Sequence, residues 1–142
     1  MRPFSFENIK TVYYYVRLLL IILIHPEKDN TMTKVAFIVG SLSQRSINRH
    51  IANEILKNAP QGVEIEEIRI GDLPLYTQDL DSQSIPAYDR VRLQIKDAAA
   101  VLIVSPEHNR SVPAALKNVI DIASRPFGQN VWANKKVAIV TA

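Results

Sequence analysis

Ser105-Pro106-Glu107-His108-Asn109-Arg110-Ser111-Val112-Pro113-Ala114-Ala115-Leu116-Lys117-Asn118-Val119-Ile120-Asp121 is the stretch that decides the fold of this chain. It follows a short apolar run, Ala99 to Val104, and leads into a helical pattern. A buried strand that delivers a polar, proline-bracketed loop to the start of a helix is how an open α/β sheet carries its ligand. An earlier stretch repeats the arrangement. Val35-Ala36-Phe37-Ile38-Val39 ends at Gly40, and the polar loop Gly40 to Asn48 follows. Two such loops in the first half of one sheet point to a flat ligand with a phosphate tail.

The elements between these loops complete an alternating order. Val35 to Val39 is apolar throughout and reads as a central parallel strand, buried on both faces. Ile47 to Asn58 places apolar residues at 47, 51, 52, 55 and 56, one helical stripe. Ala59-Pro60-Gln61-Gly62 stops that helix. Val63 to Ile70 is only half protected, as an edge strand is. Pro86 opens a helix through about Ala98, with Val91, Ile95 and Ala98 on one face and Leu93 off it. Ala99 to Val104 is the third strand, Pro113 to Ser124 the third helix, and Val137 to Val140 the fourth strand. Right-handed crossovers then predict an α/β fold: a doubly wound parallel sheet in a three-layer sandwich.

Composition bounds the chemistry. The 142 residues are 47% hydrophobic, enough for one globular domain with a core. The net charge of +3 is spread along the chain and predicts no nucleic-acid partner. Cysteine is absent, which excludes disulfides and thiolate chemistry and suits a cytoplasmic location. His25, His50 and His108 form no metal signature, so no metal site is expected.

Residues 1–31 do not fit this pattern. Val12 to Ile24 is apolar but interrupted by Arg17, and too short for an ordinary membrane helix. No small-residue cleavage site supports a secretory signal. Three readings stay open: an irregular or non-native extension ahead of a start at Met32, an extra packed element, or a membrane or partner contact. The first is preferred, with residues 32–142 as the functional unit and no membrane contact expected.

Phosphate binding needs amide donors, hydroxyls and often a cation near a helix start. Ser41, Ser43, Ser46, Asn48 and Arg45 supply those groups. The same loop also reads as a capped surface turn, with Ser46 as the cap and Arg45 and Arg49 solvated. In the second loop Pro106 and Pro113 restrict the backbone. Asn109 can bond a heterocycle edge and His108 can lie beside a ring. Glu107 reads as a loop-organising carboxylate. Lys117 and Asp121 are spaced for a surface ion pair, and Asn118 is expected to tie its helix to the preceding loop. No serine has the base and orienter of an activated nucleophile. No catalytic side chain is assigned, and the chemistry is expected from a cofactor.

Residues 33–142 resemble the first half and more of the NAD(P)H-dependent FMN reductases of the flavodoxin-like class, nearest to the bacterial quinone and chromate reductases. The first loop of that family reads Gly-Ser-Leu-Arg-x-x-Ser-x-Asn, matched by Gly40 to Asn48. The second is matched by Ser105 to Asp121, followed by Ser124-Arg125-Pro126. Leu73-Pro74-Leu75-Tyr76 matches as well. The resemblance implies that Ser41, Ser46 and Asn48 hold the FMN phosphate. Pro106, Glu107, His108 and Asn109 would border the isoalloxazine ring, and Ser111 would hold the second loop beside it. It implies electron transfer from NADH or NADPH through FMN to quinones or similar small acceptors, chromate among them, in a homodimer or homotetramer.

Three residues depart from the family pattern. Ser43 replaces a common arginine, a charge that Arg45 is expected to restore. His108 replaces a tyrosine, and Ala114 stands near a glycine position. The resemblance also predicts a third flavin loop, a helix and a fifth strand beyond Ala142, so residues 32–142 read as a partial domain ending after its fourth strand. Two competing readings are a non-enzymatic flavodoxin-like electron carrier and an inactive remnant with a structural or partner-binding role.

Overall fold

The computed structural model describes residues 32–141. The alternatives for residues 1–31 fall outside the described residues. Strands β1 (Thr33–Val39), β2 (Val63–Glu67), β3 (Ala100–Ser105) and β4 (Lys136–Thr141) alternate with helices α1 (Ile47–Lys57), α2 (Pro86–Asp97) and α3 (Ala114–Ser124). Among the described residues, the one addition to the expected order is a 3₁₀ turn at Gln78–Leu80. The strands form one parallel sheet in the order β2-β1-β3-β4. Val35 pairs with Ile65 on one side and Ala100 on the other. The fold is the expected α/β three-layer, flavodoxin-like sandwich.

Each helix face follows from the strand period. Val35, Phe37 and Val39 pack with Leu102, Val104 and Ala138 against Ala52 and Ile55 of α1. Ala36, Ile38, Val101 and Ile103 turn the other way, onto Val91 and Ile95 of α2 and Leu116 and Val119 of α3. β1 and β3 are therefore covered on both sides, which is why their sequences are unbroken apolar runs. A fully buried Val, Ile or Phe contributes about 1.5–3 kcal/mol. The two central strands thus hold much of the stability.

The edges differ from the centre in a legible way. β2 alternates half-buried Val63, Ile65 and Glu67 with exposed Glu64 and Glu66, as an edge strand should. The stripe expected on α1 is displaced at its start: Ile47 is 59% exposed, whereas Asn48 is buried. Leu93 lies off the buried stripe of α2. β4 pairs with β3 over its whole length and buries Ala138, but Val137 and Ile139 are exposed. Among the described residues β4 has one neighbour, not the two expected of a central strand.

The 73–81 segment is fixed to the helices by side chains. Asn118 of α3 accepts from the Tyr76 amide at 2.8 Å and donates to the Pro74 carbonyl at 2.9 Å. Tyr88 of α2 also donates to Pro74, at 3.2 Å. Burial pushes the Tyr88 phenol above its usual value, and neighbouring Tyr76 adds to the rise. A raised pKa gives stability that is complete below pH 10 and is lost as the pH climbs through the folded-state value. Tyr88→Phe lacks both the ionisable phenol and the bond to Pro74. Its stability deficit in urea unfolding should therefore shrink between pH 9 and about pH 11.

Candidate functional site

The order β2-β1-β3 means that the chain leaves β1 in one direction and returns beyond it to form β3. The loops after β1 and β3 therefore part at their C-terminal ends, at the topological switch point where open α/β sheets bind ligands. The strands themselves are drawn together there. The Gly40 amide donates to the Val104 carbonyl at 2.8 Å. A Cβ on Gly40 would stand 2.2 Å from Ser105 Oγ, 2.7 Å from Ser105 Cβ and 3.2 Å from Leu116 Cδ2. Glycine is required by this close approach, not by a special backbone angle.

The first loop is a chain of short serine bonds. Ser41 Oγ accepts from the Ser43 amide at 3.3 Å, and Ser43 Oγ accepts from the Arg45 amide at 3.2 Å. Ser46 caps α1 by accepting from the Arg49 amide at 3.2 Å. A hydroxyl that accepts in this way keeps its own proton for a ligand. Ser46 and Asn48 are buried beside the first turn of α1, and Ser41 is half-buried. The Arg45 side chain is exposed. Arg49 is not simply solvated, as the capped-turn reading had it; it pairs with Glu67 at the end of β2, at 2.7 Å. That bond fastens the start of α1 to the edge strand.

The second loop turns back on itself. His108 and Ser111 exchange both N–H···O bonds at 2.9 Å. Between them Asn109 has φ 51° and Arg110 has φ 61°. Two positive φ values inside a four-residue bonded turn are the mark of type I′. Asparagine tolerates this conformation; for arginine it costs about 1–2 kcal/mol. Pro106 is half-buried, whereas Glu107, His108, Asn109 and Ser111 stand exposed on the rim. Pro113 is buried at the head of α3.

The structure thus places Ser41, Arg45 and Ser46 on the loop leaving β1, Asn48 in the first turn of α1 that follows it, and Pro106, Glu107, His108, Asn109 and Ser111 on the loop leaving β3. Both loops spring from the same sheet end. Lys117 and Asp121 pair at 2.5 Å as their spacing predicts. Asn118 ties α3 to the 73–76 segment and not to its own preceding loop.

Sequence reasoning missed one cluster. Tyr76 donates to Asp81 at 2.9 Å, while Arg125 donates to the Tyr76 hydroxyl and to Asp81, each at 2.9 Å. The only signal for it was the placement of Tyr76 and Arg125 inside matched motifs. A groove of about 580 Å³ lies elsewhere, between α2 and residues 128–135. Two of its cations are already used: Arg92 donates to the Ile122 and Gln129 carbonyls, and Lys135 to those of Lys96 and Ala98. Among the described residues there is no cluster of three potential metal ligands, and no helix is long and apolar enough to cross a membrane.

Comparison with known proteins agrees with this geometry. The family described as NADPH-dependent FMN reductase matches residues 33–142. The chain belongs to that family. It is 47% identical over 108 residues to a quinone reductase of Pseudomonas putida, covering 75% of this chain and 58% of the relative. It is 43% identical over 114 residues to an NAD(P)H:quinone oxidoreductase of Solanum tuberosum, covering 77% and 58%. Among solved structures, the flavoenzyme NAD(P)H:(acceptor) oxidoreductase of Paracoccus denitrificans superposes with a TM-score of 0.72 at 39% identity, over 77% of this chain and 60% of that one. This chain spans about three-fifths of the length of the relatives it matches.

The residues present fit FMN in two respects. The Gly40–Ser105 approach leaves backbone in place of side chain where the two loops part. Buried Ser46 and Asn48 bring polar groups to the first turn of α1, where free amides and the helix dipole favour an anion. Two outcomes follow from the strand ends. Gly40→Ala should lower the urea midpoint sharply, and adding Ser105→Gly should restore part of the loss, because Ser105 supplies the two worst contacts. Arg110→Gly should raise stability by about 1 kcal/mol in the same assay, by relieving the positive φ.

Proposed function

We propose that this chain forms the flavin-binding part of an NAD(P)H-dependent oxidoreductase that passes electrons to quinones or similar small acceptors. The observation that carries the reading is the pair of family-matched loops springing side by side from β1 and β3. In this reading Ser41, Ser46 and Asn48 hold the FMN phosphate, and Arg45 adds the charge absent at Ser43. Pro106, Glu107, His108 and Asn109 border the ring. Ser111 closes the turn that presents them. Bound FMN would supply the two-electron chemistry that no side chain of the site provides. The protein's own part is to bind and orient. Pro106 and Pro113 limit the loop's freedom before a ligand arrives, and so reduce the entropy cost of positioning one.

The test is reconstitution of the full chain with FMN, followed by a visible spectrum and an NAD(P)H oxidation assay. The expected result is a bound-flavin spectrum and NAD(P)H consumption that requires added quinone. Flavin binding without acceptor-dependent turnover would replace the reductase with an electron carrier. Failure to bind any flavin would remove both. In the same titration Arg45→Ala should weaken FMN binding by up to about fivefold at low salt, and less at high salt, since an exposed charge contact is modest and screened.

A further inference from the structure

The two edges of the sheet are not alike. Among the described residues β2 has β1 as its one neighbour and β4 has β3. β2 is guarded by charge. Glu64 and Glu66 are exposed, Glu66 accepts from Gln94 at 2.6 Å, and Glu67 pairs with Arg49 at 2.7 Å. Charged side chains along an edge keep other strands away. β4 has no such guard past Lys136, where it continues as Val137, Ala138, Ile139, Val140 and Thr141. Val137 is 39% exposed and Ile139 63%. They stand in register with Val101 and Ile103, which are buried in the core beneath α2 and α3. The cover that those helices give to β3 therefore stops short of β4. An uncharged, mostly β-branched strand with a free row of main-chain groups is a template for one more strand.

The chain itself contains a segment suited to that edge. Leu18-Leu19-Leu20-Ile21-Ile22-Leu23-Ile24 is seven apolar residues, against six in β4. Residues 25–32 join it to β1. A connection of that length, fully extended, reaches about 26–29 Å. The position beyond β4 is three strand spacings from β1, about 14 Å. β1 and β4 both run parallel to β3, so both begin at the same end of the sheet. A segment that hands on to β1 must finish at that end, and so runs antiparallel to β4. An antiparallel edge on an otherwise parallel sheet is a common arrangement. The short tether favours this occupant over a second copy, since it holds the segment at a local concentration on the order of millimolar.

We propose that residues 18–24 form an antiparallel edge strand on β4 and cover Val137 and Ile139. Of the three readings open for residues 1–31, this is the extra packed element. The pairing needs no flavin and stands apart from the reductase reading.

The chain has no cysteine, so introduced pairs report cleanly. In the 142-residue chain, Ile139→Cys is combined in turn with Leu19→Cys, Leu20→Cys, Ile21→Cys, Ile22→Cys and Leu23→Cys, and each pair is oxidised mildly. Disulfides should form within one chain, with a yield independent of protein concentration. The yield should rise at alternate positions, because side chains along a strand alternate between faces and a disulfide needs close Cβ atoms. Hydrogen exchange supplies a second reading without cysteines. The β4 amides directed away from β3 should be protected in the parent, and Ile21→Pro should speed their exchange about tenfold or more while β1 stays protected. Disulfides formed only between chains would put a second copy on the edge and overturn the proposal. So would yields that are absent or uniform along residues 19–23. Outward β4 amides that exchange freely in the parent, or at a rate unchanged by Ile21→Pro, would overturn it as well.

Discussion

Everything at the candidate site depends on how closely β1 and β3 lie at their C-terminal ends. The main-chain bond from Gly40 to Val104 and the contact of Gly40 with Ser105 leave no room for a methyl group. With the ends held at that distance, the two loops must separate, one toward α1 and one toward α3. A parting of loops at a switch point is where open α/β sheets bind ligands. The candidate edge is thus a consequence of strand packing, and the loops have only to supply suitable groups along it.

Rigidity and exposure are divided accordingly. The strands beneath the site are buried on both faces, and interiors packed this way transmit little slack. The groups facing the ligand edge are polar, mostly exposed and held by short local bonds. Ser46 caps a helix, His108 and Ser111 close a tight turn, and Arg49 fastens α1 to β2. The site carries a conformational cost at Arg110, which sits at positive φ in the turn that lifts His108 and Asn109 to the rim. Farther out, Asn118 and the Tyr76–Asp81–Arg125 cluster hold the 73–81 segment across the helices. That segment contains Leu75, an apolar side chain left 81% exposed near these anchors.

Much of this was legible beforehand because it rests on local rules. An unbroken apolar run means burial on two faces, and so β1 and β3 were readable as central strands. The half-protected pattern of Val63 to Glu67 announced an edge. Ser46 as a cap and the Lys117–Asp121 pair follow from spacing along one helix. Where the expectation slipped, a contact with another element intervened. Ile47 fits the apolar stripe by spacing, yet α1 begins over the polar loop, so Asn48 is the residue turned inward. Asn118 lies near its own loop in sequence, but the 73–76 segment passes closer in space. Arg49 met an edge-strand glutamate that nothing in its own helix foretold.

Residue order alone therefore determined the alternating elements, the parallel sheet and the two polar loops at strand ends, since periodicity, caps and prolines act within a few residues of themselves. Only the tertiary structure decided which charges are spent and which remain. Arg49, Arg90, Arg92, Arg125 and Lys135 are each occupied by a carboxylate, hydroxyl or carbonyl distant in sequence. Among the described residues, Arg69 is not. That distinction depends on distances between elements, which the strand order sets and no local pattern contains.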